Sequence, residues 1–406
     1  MPHLHLLSPK GFRAGGVHAG IKRKRPDIGL LVCDRPAAAA AVFTTNKVFA
    51  APIKVGREHI AGGRLRAVVV NSGNANACTG KQGERDARRM CDLAAAAIGC
   101  DAVQVLPSST GIIGHLLPMD KIEQGIARVA ADLGDSADHA QQFAGAILTT
   151  DLVRKTAATQ VKIGRERVTI AGVCKGSGMI GPRMALPGKE GALHATMLAY
   201  LTTDAQITPA ALRKLLAPAA DRSFNAVTVD DHTSTNDTAA ILASGLGAKI
   251  ASAADQKKFL AALEEVCQSL AYQIAKDGEG ATKVVKIVVR KAADEQAAHA
   301  IARAIANSPL VKCAMHGNDA NWGRIVSAAG LAGVAFDPDK ATLTIQGTKV
   351  FHRGRPVPFD AAKVSKSLAT EEVTAELTCN LGKSEATAWT CDLSRDYIRI
   401  NADYHT

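Results

Sequence analysis

Residues 66–114 read RAVVVNSGNANACTGKQGERDARRMCDLAAAAIGCDAVQVLPSSTGIIG. The β-branched run RAVVV breaks off in a loop rich in asparagine and glycine, as a strand does on leaving a sheet. GERDARRMCDLAAAAIG follows with apolar residues at helical spacing and stops at Gly99. DAVQVL is a second strand, and it too runs into a polar, glycine-bearing turn, PSSTGIIG. Strand, helix and strand in one stretch predict an α+β body built in layers.

The alternation continues outward. Helical spacing recurs over residues 119–134, 137–148, 208–219, 255–276 and 294–307. Residues 155–176 predict a hairpin turning at Gly164 and Arg165. Strands are expected at 223–230 (SFNAVTVD), 283–290 (KVVKIVVR) and 310–317 (LVKCAMHG). From about Asp337 short alternating runs dominate, among them ATLTIQGTKVFHRG and YIRINADY, which predicts a smaller, mainly β C-terminal part. No repeat or low-complexity linker marks a boundary.

Composition narrows the classes. The chain has 406 residues, 47% hydrophobic and 21% charged, enough for a large core and far from a disordered composition. The opening MPHLHLLSPKGFRAGG lacks the pattern of a secretory signal, and no run reaches bilayer length, so the expectation is a cytoplasmic protein without a membrane partner. Nine cysteines are scattered with no Cys-x-x-Cys pair and no histidine at ligand spacing, which predicts core residues and no metal. The net charge is +11, densest in IKRKRPD at residues 21–27. With aromatics at 4% there is little to stack on bases, so the run is read as a solvated face, nucleic acid is not an expected partner, and a small acidic substrate suits the charge.

One motif misleads. GSGMIG spaces Gly176, Gly178 and Gly181 as a dinucleotide fingerprint does, directly after a predicted strand. A pyrophosphate needs a helix N-terminus there, and Pro182, Pro187 and Gly188 forbid a long helix. No nucleotide cofactor is expected. Walker, Gly-x-Ser-x-Gly and His-Glu-x-x-His motifs are also missing. Six polar turns remain, each beside a predicted strand: NSGNANACTG, PSSTGIIG, CKGSGMIGP, DDHTSTND, KDGEGATK and HGNDANWGR. Each alone is an ordinary turn; six at strand ends predict a site.

In order along the chain, NSGNANACTG, STGIIG, KGSGMI, ATMLAYLTTDA, HTSTNDT, DGEGATK and NDANWGRI resemble the signature of the ornithine acetyltransferase family, also called glutamate N-acetyltransferase, of arginine biosynthesis. The resemblance extends from GFRAGGVHAGIK to the terminal NADYHT. It implies a layered sandwich of β-sheets flanked by helices, and a precursor that cuts itself before a threonine. Carried over, the cut falls between Ala195 and Thr196, giving an alpha chain of residues 1–195 and a beta chain of 196–406, two of each in the assembly. A hydroxyl at this place can attack the preceding carbonyl, and the α-amine released, with a pKa of about 8, can serve as base for the same hydroxyl.

The resemblance further implies Thr110, through its hydroxyl, and Gly111, through its amide, as oxyanion donors. Lys175 is expected to take the substrate carboxylate and Glu279 the ornithine ammonium, with Thr149 (or its neighbour Thr150), Thr196, Asn401 and Thr406 completing the substrate contacts. The implied reaction is ping-pong: Thr196 takes acetyl from N-acetylornithine and passes it to glutamate. One amide is exchanged for another, so neither cofactor nor metal is needed. Some members also use acetyl-CoA as donor. The chain departs from the family pattern by an apparent insertion, LPGKEGALH at 186–194, and by Asp231 and Ala320 in two turns. Two rivals stand beside this reading: an N-terminal-nucleophile amidohydrolase or aminopeptidase, which hands the acyl group to water, and an uncleaved amino-acid-binding protein, which the insertion would favour.

Overall fold

A computed structural model describes residues 3–187 and 197–403. These divide into two compact units, one of residues 3–187, 197–225 and 232–270, the other of 226–231 and 271–403.

The first unit contains strands β1 (Phe12–Val17) and β2 (Ile28–Thr44), helix α1 (Ala51–His59), β3 (Arg64–Asn74), α2 (Gly80–Ile98), β4 (Val105–Ile112), α3 (Met119–Ala131) and α4 (Ala137–Ala146). The predicted hairpin follows as β5 (Lys155–Ile163) and β6 (Glu166–Lys175), turning at Gly164 with its positive φ. After β7 (Met184–Ala185) come β8 (Leu198–Thr203), α5 (Pro209–Asp221), β9 (Thr238–Ala243) and α6 (Ala253–Lys276), within which the unit boundary falls. Among the described residues that follow GSGMIG, 182–187, there is no helix, in keeping with Pro182 and Pro187.

The strands form one sheet of order β4-β3-β2-β9-β8-β6-β5, with β1 and β7 also on β2. Pairs β3–β4 and β8–β9 are parallel and the others antiparallel. Seventeen residues of straight strand would hold the ends of β2 roughly 50 Å apart. Yet the neighbours of its two ends are bonded together. Ile28 pairs with Asn71 and Asn71 with Ser109, while at the far end Thr44 donates to the Asp237 carbonyl; Asn236 then donates to the Ser109 carbonyl. The sheet therefore doubles over, with β2 irregular between Val32 and Ala37, and its two layers make the expected sandwich.

Side-chain alternation sorts the core. Leu31, Phe43, Val70, Tyr200 and Leu242 point to one buried cluster, in which Phe143 of α4 meets Tyr200 edge to face at 5.7 Å between centroids. Ile28, Leu30, Val32 and Val69 point the other way, toward Met90 of α2 and Ile126 of α3.

The second unit has a six-stranded sheet of order β13-β12-β11-β14-β10-β15. Its strands are β10 (Val284–Ala292), β11 (Thr342–Ile345), β12 (Thr348–His352), β13 (Arg355–Pro356), β14 (Glu372–Thr378) and β15 (Ser384–Cys391). Helices α7 (Glu295–Asn307), α8 (Pro309–His316), α9 (Trp322–Gly330), α10 (Ala361–Leu368) and α11 (Arg395–Asp403) complete it. Since β10 lies between β14 and β15, the β-rich stretch after Asp337 shares its sheet with earlier chain.

Three predicted strands are not strands. LVKCAMHG is α8, because Ser308 accepts from the Val311 amide and Pro309 opens the helix. YIRINADY falls largely in α11, where Ser394 accepts from the Tyr397 amide in the same manner. SFNAVTVD is a 3-10 turn at Phe224–Ala226 followed by a single bridge from Val227 to Trp389. Among the described residues no helix is long and apolar enough to cross a membrane, and no group of three or more His, Cys, Asp or Glu is arranged to hold a metal ion.

Candidate active site

Thr110 and Gly111 lie near the end of β4, beside Gly73 of β3. Gly111 has φ +131°, and a Cβ on it would come within 2.4 Å of the Gly73 carbonyl carbon and 2.6 Å of the Asn74 nitrogen. Only glycine permits this backbone approach. Thr110 is 1% exposed, and its hydroxyl oxygen has no hydrogen-bond partner among the described residues. A buried hydroxyl in that condition is an unspent donor.

The residues ahead of β9 tie this strand end to the start of β8. Asn236 donates through Nδ2 to the carbonyls of Ala75, at 2.7 Å, and Ser109, at 2.9 Å. Asp237 accepts the amide N–H of Met197 on Oδ1. The register continues the row: Lys175 pairs with Leu198, and Leu198 with Thr238. Burial pushes the Asp237 carboxyl well above the usual carboxylate range, against the amides of Met197 and Ser234 and the charge of Lys175.

A second carboxylate organises the other side of Lys175. Asp151 is fully buried and pairs with Lys155 at 2.7 Å. It also accepts the amides of Gly176, at 2.6 Å, and Thr149, at 3.1 Å. Burial alone would raise its pKa; the Lys175 and Lys155 ammoniums and these bonds overcome that and hold it at about 2. Lys175, itself 3% exposed, thus acts electrostatically on both carboxyls, on Asp151, held at about 2, and on Asp237, which burial pushes the other way.

The basic run 21–27 is only partly the solvated face expected of it. Asp27, fully buried, accepts the amides of residues 19–22, and this loop turns Lys22 to the Leu148 carbonyl at 2.7 Å and Arg25 to the Asp151 carbonyl at 2.8 Å. Burial lowers the Lys22 ammonium to about 8.

In the second unit, Asn401 donates through Nδ2 to Glu279 at 3.0 Å. The turn carrying Glu279 is held under the start of α11: Ser394 donates to the Gly280 carbonyl at 2.6 Å, and a Cβ on Gly280, with φ +68°, would lie 2.4 Å from the Tyr397 nitrogen. Of the other expected site residues, Ala195, Thr196 and Thr406 lie outside the described residues.

The sequence motifs therefore contribute two groups within the first unit, Thr110 with Gly111 and Lys175 with Thr149, and a third pair in the second unit. Asp151, Asn236 and Asp237 were not among the expected site residues. They stand inside LTTD and HTSTNDT, where Asp and Asn read as turn formers; only their burial reveals another use.

The sequence profile of the ArgJ family matches residues 13–406. The chain belongs to the ArgJ family. The arginine biosynthesis bifunctional protein ArgJ of Rhodopirellula baltica is 45% identical over 408 residues, which cover 99% of this chain and 97% of that protein. The protein of the same name from Shouchella clausii is 45% identical over 406 residues, covering 99% and 96%. Among solved structures, ornithine acetyltransferase complexed with ornithine from Mycobacterium tuberculosis is 38% identical, covering 46% of this chain and 98% of that one, with a TM-score of 0.42. Membership of ArgJ over nearly the whole length makes this chain an acyltransferase of arginine biosynthesis, a reading favoured over the hydrolase and binding-protein rivals.

Proposed function

We propose that this chain cuts itself between Ala195 and Thr196 and then moves acetyl from N-acetylornithine to glutamate through an acetyl-threonine ester on Thr196. In this reading Thr110 and Gly111 stabilise the oxyanion, Lys175 takes the α-carboxylate common to both substrates, and Glu279 with Asn401 takes the ornithine ammonium. Thr149 and Thr406 complete the substrate contacts, and acetyl-CoA is a candidate second donor. The products are chains 1–195 and 196–406, two of each, working in the cytoplasm.

The observation that carries the reading is the row Lys175–Leu198–Thr238 at the start of β8, two residues after Thr196, joined through Asn236 to the strand end bearing the unspent Thr110 hydroxyl. Nucleophile-bearing chain, oxyanion donors and carboxylate-binding cation are what acyl transfer requires. The amine freed at Thr196 takes the hydroxyl proton as the ester forms and returns it to departing ornithine; the second half-reaction runs the same steps backward with glutamate.

A denaturing gel with N-terminal sequencing, beside Thr196→Ala, tests the cut. Two bands are expected, the second chain beginning Thr-Met-Leu, and one band in the variant. Ornithine release that depends on added glutamate tests the transfer; an intact chain with full activity, or release indifferent to glutamate, refutes it.

A further inference from the structure

Before the cut, the base that the mature site depends on does not exist, because the Thr196 nitrogen is still an amide. The hydroxyl proton must nevertheless leave the oxygen and a proton must reach the departing nitrogen. The inference below rests on the proposed cut and asks which group moves it.

Asp237 is 0% exposed, and one carboxyl oxygen holds the amide N–H of Met197, the peptide unit whose carbonyl carbon belongs to residue 196. The other oxygen is buried with no hydrogen-bond partner among the described residues. An asparagine would hold the same amide without the cost of burying an ionisable group, so the acceptor role alone does not account for a carboxyl here. Burial pushes that carboxyl well above the usual carboxylate range, which favours the form that has a proton to offer. Asn236, next in the chain, fixes the loop to the Ser109 carbonyl, so Asp237 is held in register with the oxyanion strand.

We infer that Asp237 is the proton relay of self-cleavage, its second carboxyl oxygen exchanging protons with Thr196. As Thr196 Oγ bonds to the Ala195 carbonyl carbon and the carbon–nitrogen bond breaks, Asp237 gives its proton to the nitrogen and takes the one leaving the hydroxyl. The acid is restored, the amide has become an ester, and water then cleaves the ester to free Ala195.

The test follows precursor disappearance on a gel after rapid dilution from denaturant, in the full chain. Asp237→Asn keeps the size and the acceptor for Met197 but cannot give up a proton. It is expected to refold with the wild-type melting temperature and to be cut about a hundredfold more slowly. Asp237→Ala is also expected to be cut slowly, and to be accelerated by added formic acid but not by formamide, which fills the space without a labile proton. A merely structural Asp237 predicts normal cutting in Asp237→Asn, and that result overturns the inference. If Asp237→Asn melts early, the second arm decides: an Asp237→Ala chain indifferent to formic acid overturns it equally. Failure of the wild type itself to cut would instead sink the proposed function, so the two failures are distinct.

Discussion

Gly111→Ala separates the oxyanion role from stability. The new methyl carbon would sit 2.4 Å from a backbone carbon of Gly73, where ordinary contact begins at 3.4 Å, so β3 and β4 have to part by about 1 Å. Both nearest atoms are backbone, and no side chain can swing aside. Adding the strain of a positive φ, roughly 1–3 kcal/mol, the variant is expected to fold with its melting temperature lowered by a few degrees. A donor displaced by that distance matters far more to the chemistry. Misplacement of about 1 Å costs about a hundredfold, and loss of one oxyanion donor costs 10²–10³ in kcat by order of magnitude. Self-cleavage passes through an oxyanion as well, so the cut should slow with it. The assay is ornithine release with glutamate in excess, normalised to cut protein on a gel, beside a thermal melt. A folded Gly111→Ala that cuts and turns over within threefold of wild type would refute the assignment.

The other expected outcomes concern charges. Asp151→Asn leaves Lys155 buried without its carboxylate and should cost about 3–5 kcal/mol in denaturant titrations. Because the folded-state pKa of Asp151 is depressed to about 2 from an ordinary 3.8, its stabilisation is present above the ordinary value and is lost as pH falls from about 4 toward 2; the variant should lose less stability over that window. Lys175→Met should raise KM for both N-acetylornithine and glutamate by about 10- to 100-fold, since both present an α-carboxylate; an unchanged pair of KM values removes Lys175 from the site. Glu279→Gln should raise KM for N-acetylornithine about tenfold while sparing that for glutamate, and an equal effect on both would contradict the ammonium-binding role.

Local signals carried much of the fold. The strand at Val68–Val70, the helix closing at Gly99 and the hairpin at Gly164 each depend on neighbours a few residues away, and the structure has them where the sequence predicts. LVKCAMHG and YIRINADY differ from expectation because a serine cap two or three positions outside the motif outweighs alternation inside it. The doubling over of β2 was not legible, since it shows only when Asn236 is seen to meet Ser109, 127 positions away. The site divides in the same way. Thr110, Gly111 and Lys175 were found through motif resemblance, whereas Asp151 and Asp237 differ from turn aspartates only in being sealed from water, one beside two cations and one with an oxygen left over.

The strand order carries a consequence for biogenesis. With the proposed scission, β2 and β6 come from the upstream polypeptide and β9 and β8 from the downstream one, so that in the order β2-β9-β8-β6 the downstream pair lies between two upstream strands. Neither fragment could complete that ladder alone, so on this proposal the precursor would finish folding before it is nicked, and the halves would stay joined by the ladder's hydrogen bonds without a covalent link. Two separately expressed genes would face an assembly problem that a single reading frame never meets.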